Sequence, residues 1–150
     1  MKIYLDTSVI NIYLFGRYSE TEIRKFSHVS ALFNLINSNK IHALISLYTL
    51  QEVFIFCKKI FGPPAGNISR LAFLELLENK ISLAGLLTRE ERLLHRIRFN
   101  LDDLSDQPHA ICAYLNKCDA IVTYDTHFQK IKDEILIYTP EEVVSIQQHQ

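Results

Sequence analysis

Asp119-Ala120-Ile121-Val122-Thr123-Tyr124-Asp125-Thr126-His127-Phe128 holds a short apolar run followed by a hydroxyl and an acid. A run this short and apolar, Ala120 to Thr123, reads as a buried strand. Asp125 follows it and opens a short helix. The same arrangement occurs at the start of the chain, where Ile3 to Leu5 is a strand that ends at Asp6 and leads into helix signals from Ser8 to Phe15. Ala43 to Ser46, Ile81 to Leu86 and Ile135 to Tyr138 complete a set of five strands. Between them lie helical stretches: one opened by Ser19-x-x-Glu22 and carrying Ile23, Phe26, Ser30, Phe33 and Ile36, then Tyr48 to Lys59, Asn67 to Leu77, Thr88-x-x-Glu91 to Phe99, Asp106 to Asn116, and a last one begun by Thr139-Pro140-Glu141-Glu142. There is no hairpin signal of the Asn-Gly type. Short strands alternating with helices predict an α/β fold in three layers, with a mainly parallel central sheet between helices.

The chain has 150 residues, 48% hydrophobic and 22% charged, which suits a single globular domain over 1–150 and excludes a disordered chain. Sixteen basic and seventeen acidic residues give a net charge of −1, so bulk charge does not hold nucleic acid here and any contact must be local. Cys57, Cys112 and Cys118 lack the spacing of a disulfide framework or a zinc motif. They read as reduced thiols of a cytoplasmic protein. The first acid comes at residue 6, too early for a signal peptide, and no apolar run approaches the roughly 18 residues of a membrane span.

In an open parallel sheet, ligands bind beyond the carboxyl ends of the strands. Asp6 follows the first strand, Glu52 lies one turn into the helix after the second, and Asp125 follows Thr123. Asp106 starts the helix that leads into that strand. Each acid taken singly also reads as a helix cap, Glu52 through Thr49-x-x-Glu52. Together they read differently, because crowded carboxylates repel and need a cation. Hard oxygen ligands suit Mg²⁺ or Mn²⁺. Asp102 and Asp103 compete with Asp106, and their simpler reading is a solvated turn. Thr7, Ser8 and Thr123 place hydroxyls beside the acids. His109 and His127 read as metal ligands or, more simply, as capped or half-buried helix histidines near the site, Tyr124 as a base-stacking ring, and Phe128 as a base-stacking ring or, more simply, core. Arg89, Arg92 and Arg96 fall on one helical face, opposite Leu93, Leu94, Ile97 and Leu101, either as a solvated face or as a phosphate contact to which Lys58 and Lys59 add.

These motifs resemble those of PIN domains. Leu5-Asp6-Thr7-Ser8-Val9-Ile10 is similar to the family's opening, Glu52-Val53 to its second acid, Asp106-Gln107-Pro108-His109-Ala110-Ile111-Cys112-Ala113 to its third motif, and Asp119 to Phe128 to its last. Pro108 departs from the pattern but stands in a first turn, where proline is tolerated. The resemblance implies a Mg²⁺- or Mn²⁺-dependent endoribonuclease with Asp6, Glu52, Asp106 and Asp125 at the metal. It also implies a homodimer and, as in the VapC-type toxins, an antitoxin partner. Two alternatives stand beside it. A phosphatase of the haloacid-dehalogenase type is disfavoured because Ser8 replaces its second acid. A binding module for RNA or protein keeps the fold without cleavage.

Overall fold

A computed structural model describes residues 1–149. Five strands, β1 (Lys2–Leu5), β2 (His42–Ser46), β3 (Ile81–Ala84), β4 (Ala120–Val122) and β5 (Leu136–Tyr138), form one parallel sheet in the order β3-β2-β1-β4-β5. The helices are α1 (Thr7–Phe15), α2 (Ile23–Asn37), α3 (Leu47–Phe61), α4 (Ala65–Leu77), α5 (Arg89–His95), α6 (Gln107–Leu115) and α7 (Pro140–Gln148), with 3-10 turns at Gly16–Tyr18 and Thr126–Ile131. The predicted α/β architecture is therefore observed.

Strand residues alternate between two cores, as the two-residue repeat of a strand requires. Ile3, Leu5, Ala43, Ile45, Ala120 and Val122 point to one side and meet Val9, Leu32, Phe33, Val53 and Leu76 of α1 to α4. Tyr4, Leu44 and Ile121 point to the other and meet Phe99, Ala110, Ile111 and Phe128. Both faces are covered, which is why the strands read as unbroken apolar runs. All three cysteines are buried free thiols. Among the described residues, no helix is long and apolar enough to cross a membrane.

Several boundaries differ from the sequence reading. The Ser19-x-x-Glu22 box does not form: Ser19 Oγ lies 3.0 Å from Thr21 Oγ1, and Glu22 is the N-cap of α2 without a side-chain bond. A preceding 3-10 turn uses up the residues that would have held Ser19 in capping position. The short helix expected after Asp125 does form, as a 3-10 helix. α5 stops at His95 instead of Phe99, and the apolar face assigned to it is not buried: Leu93, Leu94 and Ile97 are exposed, while Phe99 and Leu101 enter the core. Two turns of helix are too short to present a continuous apolar stripe.

β1 is central, with β2 on one side and β4 on the other. The chain leaves β1 in one direction to build β2 and β3, and returns on the other flank with β4 and β5. That reversal opens a crevice at the carboxyl ends of β1 and β4.

Candidate active site

Asp6 is the N-cap of α1, and its backbone N–H donates to Val122 O at 3.0 Å, which ties the end of β1 to β4. Its Oδ2 accepts hydrogen bonds from Ser8 Oγ at 2.6 Å, Thr123 Oγ1 at 2.8 Å and Ser8 N–H at 3.2 Å. Thr123 Oγ1 also accepts from the Asp125 N–H at 2.8 Å, and Ser8 Oγ accepts from the Tyr124 N–H at 3.1 Å. Two hydroxyls thus lock the loop after β4 onto the loop after β1. Asp125 caps the following 3-10 turn, accepting from the His127 N–H at 2.8 Å.

Asp106 occupies the N-cap position of α6 but makes no capping bond with its side chain. The carboxylate is buried, and among the described residues its Oδ2 has no hydrogen-bond partner. Burial, followed by the charges of Asp6, Asp125 and Asp103, pushes its pKa up to about 7, against a weaker opposing pull from His109. A buried carboxyl with an orphaned oxygen is an expensive arrangement that a cap cannot explain. Ligand atoms of Asp106, Asp125 and His127 lie within 4.8 Å of one another, His127 Nδ1 being 3.4 Å from Asp125 Oδ1 and 3.9 Å from Asp106 Oδ2. Carboxylate oxygens with an imidazole fit a divalent cation, and the orphaned Oδ2 is aimed where one would neutralise it.

Glu52 lies on the second turn of α3 and does not cap that helix; at the helix start the Ser46 N–H instead faces Thr49 Oγ1 at 3.4 Å. Its Oε2 accepts from Thr7 Oγ1 and lies 3.1 Å from Nε2 of the fully buried His109. Burial works against the charged form of Glu52, but the His109 contact and the Thr7 hydroxyl outweigh it, and the pKa is lowered. His109 mirrors this: burial opposes its charge, while Glu52, Asp6 and Asp106 raise its pKa.

The structure thus gathers Asp6, Glu52, Asp106 and Asp125 at one sheet edge, with Thr7, Ser8 and Thr123 bonded to them. Asp102 and Asp103 stay outside this group, although the Asp103 charge still reaches Asp106 and Glu52. Asp102 is exposed and pairs with Lys130 at 2.6 Å, and Asp103 accepts from Ser105. Tyr124 is no stacking platform: its hydroxyl donates to Glu141 at 2.9 Å, and Lys25 sits over its ring. Phe128 is fully buried core.

Arg89, Arg92 and Arg96 line a cleft of about 690 Å³ with Leu87, Leu93 and Gln107, the residue after Asp106. Leu93 and Ile97, expected opposite the arginines, line the same cleft. Lys58 and Lys59 sit in the last turn of α3 and do not line the cleft. Sequence reasoning missed the pairing of His109 with Glu52, whereas the nearness of His127 to the acids was among its readings. For His109 a signal existed: a lone polar residue three positions after Asp106, before the apolar run Ala110-Ile111-Cys112-Ala113, shares a helix face with the acid.

Comparison with known proteins places this geometry. A search of curated proteins gives no match. Among solved structures, the chain is similar to a DNA-bound VapBC from Salmonella typhimurium, with 22% identity over 93% of this chain and 98% of that chain and a TM-score of 0.62. It is also similar to VapBC2 from Rickettsia felis bound to a DNA fragment from its promoter, with 14% identity over the same shares and a TM-score of 0.58. The family model described as PIN domain matches residues 2–127. A match across that much of the chain, on a sheet and crevice of this topology, makes the protein a member of the PIN domain family.

Proposed function

We propose that this chain is a divalent-metal-dependent endoribonuclease that hydrolyses RNA phosphodiester bonds, of the kind found as the toxin of toxin–antitoxin pairs. The observation that carries the reading is Asp106, whose buried, unpartnered Oδ2 faces the ligand atoms of Asp125 and His127. The VapBC likeness supports the toxin part and an antitoxin partner. A homodimer and a cytoplasmic setting belong to the same reading.

Asp106 and Asp125 would hold the Mg²⁺ or Mn²⁺, with Asp6 beside them. When bound, such an ion supplies Lewis acidity toward a phosphoryl oxygen and lowers the pKa of a water. The chain's own residues do the rest. Ser8 and Thr123 hold Asp6 Oδ2, so this carboxylate enters the site already oriented. Glu52, steadied by Thr7 and His109, accepts the proton of a water that attacks phosphorus. The P–O bond to the leaving oxygen breaks, and that oxygen takes up a proton from solvent. Arg89, Arg92 and Arg96 receive the phosphates of flanking nucleotides along the cleft beside Gln107.

The test is Mn²⁺ binding by calorimetry and thermal shift on wild type and Asp6→Asn, followed by cleavage of single-stranded RNA with and without the ion. Saturable binding should stabilise the wild type by about 2.7 kcal/mol at a hundredfold excess over Kd. Asp6→Asn should lose both binding and cleavage. A wild type that stays unliganded in millimolar Mn²⁺ would overturn the reading.

His127 gives a further expectation. Imidazole favours transition ions over Mg²⁺. Replacing His127 with Ala should weaken Mn²⁺ binding about tenfold and leave Mg²⁺ binding nearly unchanged, as magnesium competition against Mn²⁺ followed by electron paramagnetic resonance would record. Equal weakening of both ions would remove His127 from the ligand set.

A further inference from the structure

Beneath the acids runs a buried polar chain that reaches from Glu52 to the central strand. His109 is fully buried on α6. Its Nε2 lies 3.1 Å from Glu52 Oε2, and its Nδ1 lies 2.7 Å from the Tyr4 hydroxyl in the central strand. The Tyr4 hydroxyl, itself fully buried, lies 2.7 Å from Ser46 Oγ and 3.3 Å from Thr49 Oγ1. Ser46 and Thr49 begin the helix that carries Glu52. The ring of contacts is closed: β1, α6 and the start of α3 are joined through one imidazole.

The direction of the bonds follows from the chemistry of the groups. A carboxylate can only accept, so the nitrogen facing Glu52 must carry a hydrogen. A hydroxyl can donate or accept, so Tyr4 suits Nδ1 with or without its own hydrogen, and Ser46 and Thr49 adapt in turn. Nε2 therefore faces Glu52 Oε2 at 3.1 Å, a close polar contact outside hydrogen-bond geometry, while the Thr7 hydroxyl donates to the same oxygen. Glu52, like Asp6, stands outside the 4.8 Å group formed by Asp106, Asp125 and His127.

We propose that His109 is a positioning residue that holds Glu52 out of the metal's coordination sphere, so that Glu52 meets a water with its remaining oxygen while a single ion sits on the aspartates. This rests on the metal-dependent reading above, and it assigns the four acids two different jobs. Asp106 and Asp125 face the ion, with Asp6 beside them. The glutamate has the His109 ring as its neighbour instead.

The test combines Mn²⁺ calorimetry with ¹⁵N nuclear magnetic resonance of the histidine side chains. Wild type should bind one Mn²⁺. Glu52→Gln keeps the shape of a partly exposed side chain and should change the Mn²⁺ Kd by less than about threefold, whereas Asp106→Asn should weaken it more than about thirtyfold. In wild-type protein, where folding is not in question, His109 should show its hydrogen on Nε2, protected from solvent, and keep it when Mg²⁺ saturates the site. Tyr4→Phe should shift the Nδ1 resonance and leave the Mn²⁺ Kd within about threefold of wild type. An equal loss of Mn²⁺ in Glu52→Gln and Asp106→Asn, or a bare Nε2, overturns the role given to His109 while the metal site stands. A wild type that binds no Mn²⁺ overturns the metal-dependent reading itself and this inference with it.

Discussion

Asp106→Asn is expected to make the metal-free protein more stable and to abolish its affinity for Mn²⁺. Burial, Asp6 and Asp125 push the Asp106 carboxyl from an ordinary 3.8 up to about 7. In the unfolded chain this group ionises near its ordinary value. Between about pH 4 and pH 7 the folded protein therefore binds more protons than the unfolded one, and stability falls as pH rises through that window. A shift of this size, at about 1.4 kcal/mol per pKa unit, sets a ceiling of roughly 4 kcal/mol. The carboxyl keeps some contact with solvent, so a gain of about 1–3 kcal/mol is the expected result for asparagine at neutral pH. For a chain of this size that raises Tm by about 2–4 °C per kcal/mol. Scanning calorimetry from pH 4.5 to 8 should show wild type losing stability with pH and Asp106→Asn nearly flat. The same carboxylate must be ionised to hold a cation, so Mn²⁺ affinity in wild type should climb through pH 7. A variant less stable than wild type at pH 7.5 would sink the picture of repelling acids.

Thr123→Val should damage the site at a point where no charge changes. Valine matches the shape and β-branching of threonine at the end of β4, so only the hydroxyl is lost. That hydroxyl donates to Asp6 Oδ2 and accepts from the Asp125 N–H, both at 2.8 Å, in a buried position. The Asp125 N–H loses its acceptor and Asp6 Oδ2 loses one of three donors, keeping those of Ser8, at an expected loss of about 1–3 kcal/mol in urea unfolding. Mn²⁺ binding should weaken as well, because Asp6 and Asp125 lose their common tether. Thr123→Ser keeps both bonds and removes a methyl, so it should retain Mn²⁺ affinity. Valine and serine variants with the same stability and affinity would show that the hydroxyl does not align the acids.

The strands, their parallel setting and the edge that carries the acids were legible because they depend on short-range patterns. Ile3–Leu5 followed by Asp6, and Ala120–Thr123 followed by Asp125, are apolar runs that stop at an acid, and a parallel sheet collects such ends on one edge. Capping was legible where neighbours supply both bonds, as at Thr88 and Thr139, and misleading at Ser19, whose hydroxyl turned to Thr21. The region around α5 was misread because three arginines at helical spacing imply an opposite apolar face, yet nothing packs on Leu94 or Ile97. The His109 pairing was hidden for a different reason. Residues 4, 46, 52 and 109 are separated by long stretches of chain, and only the crossing of β1, α3 and α6 makes them neighbours.

The placement of β1 between β2 and β4 also governs when the crevice can exist during synthesis. Its first wall, with Asp6, leaves the ribosome before its second. The Thr123 hydroxyl that fixes Asp6 lies 117 residues downstream. At about 5–20 residues per second, this delay is on the order of ten seconds. Through that interval β1 can pair with β2 on one edge while its other edge is bare and the acids stay scattered. A nascent chain of this order carries its chemistry in disassembled form, and the acids converge only when the last third of the polypeptide has threaded into place beside the first strand.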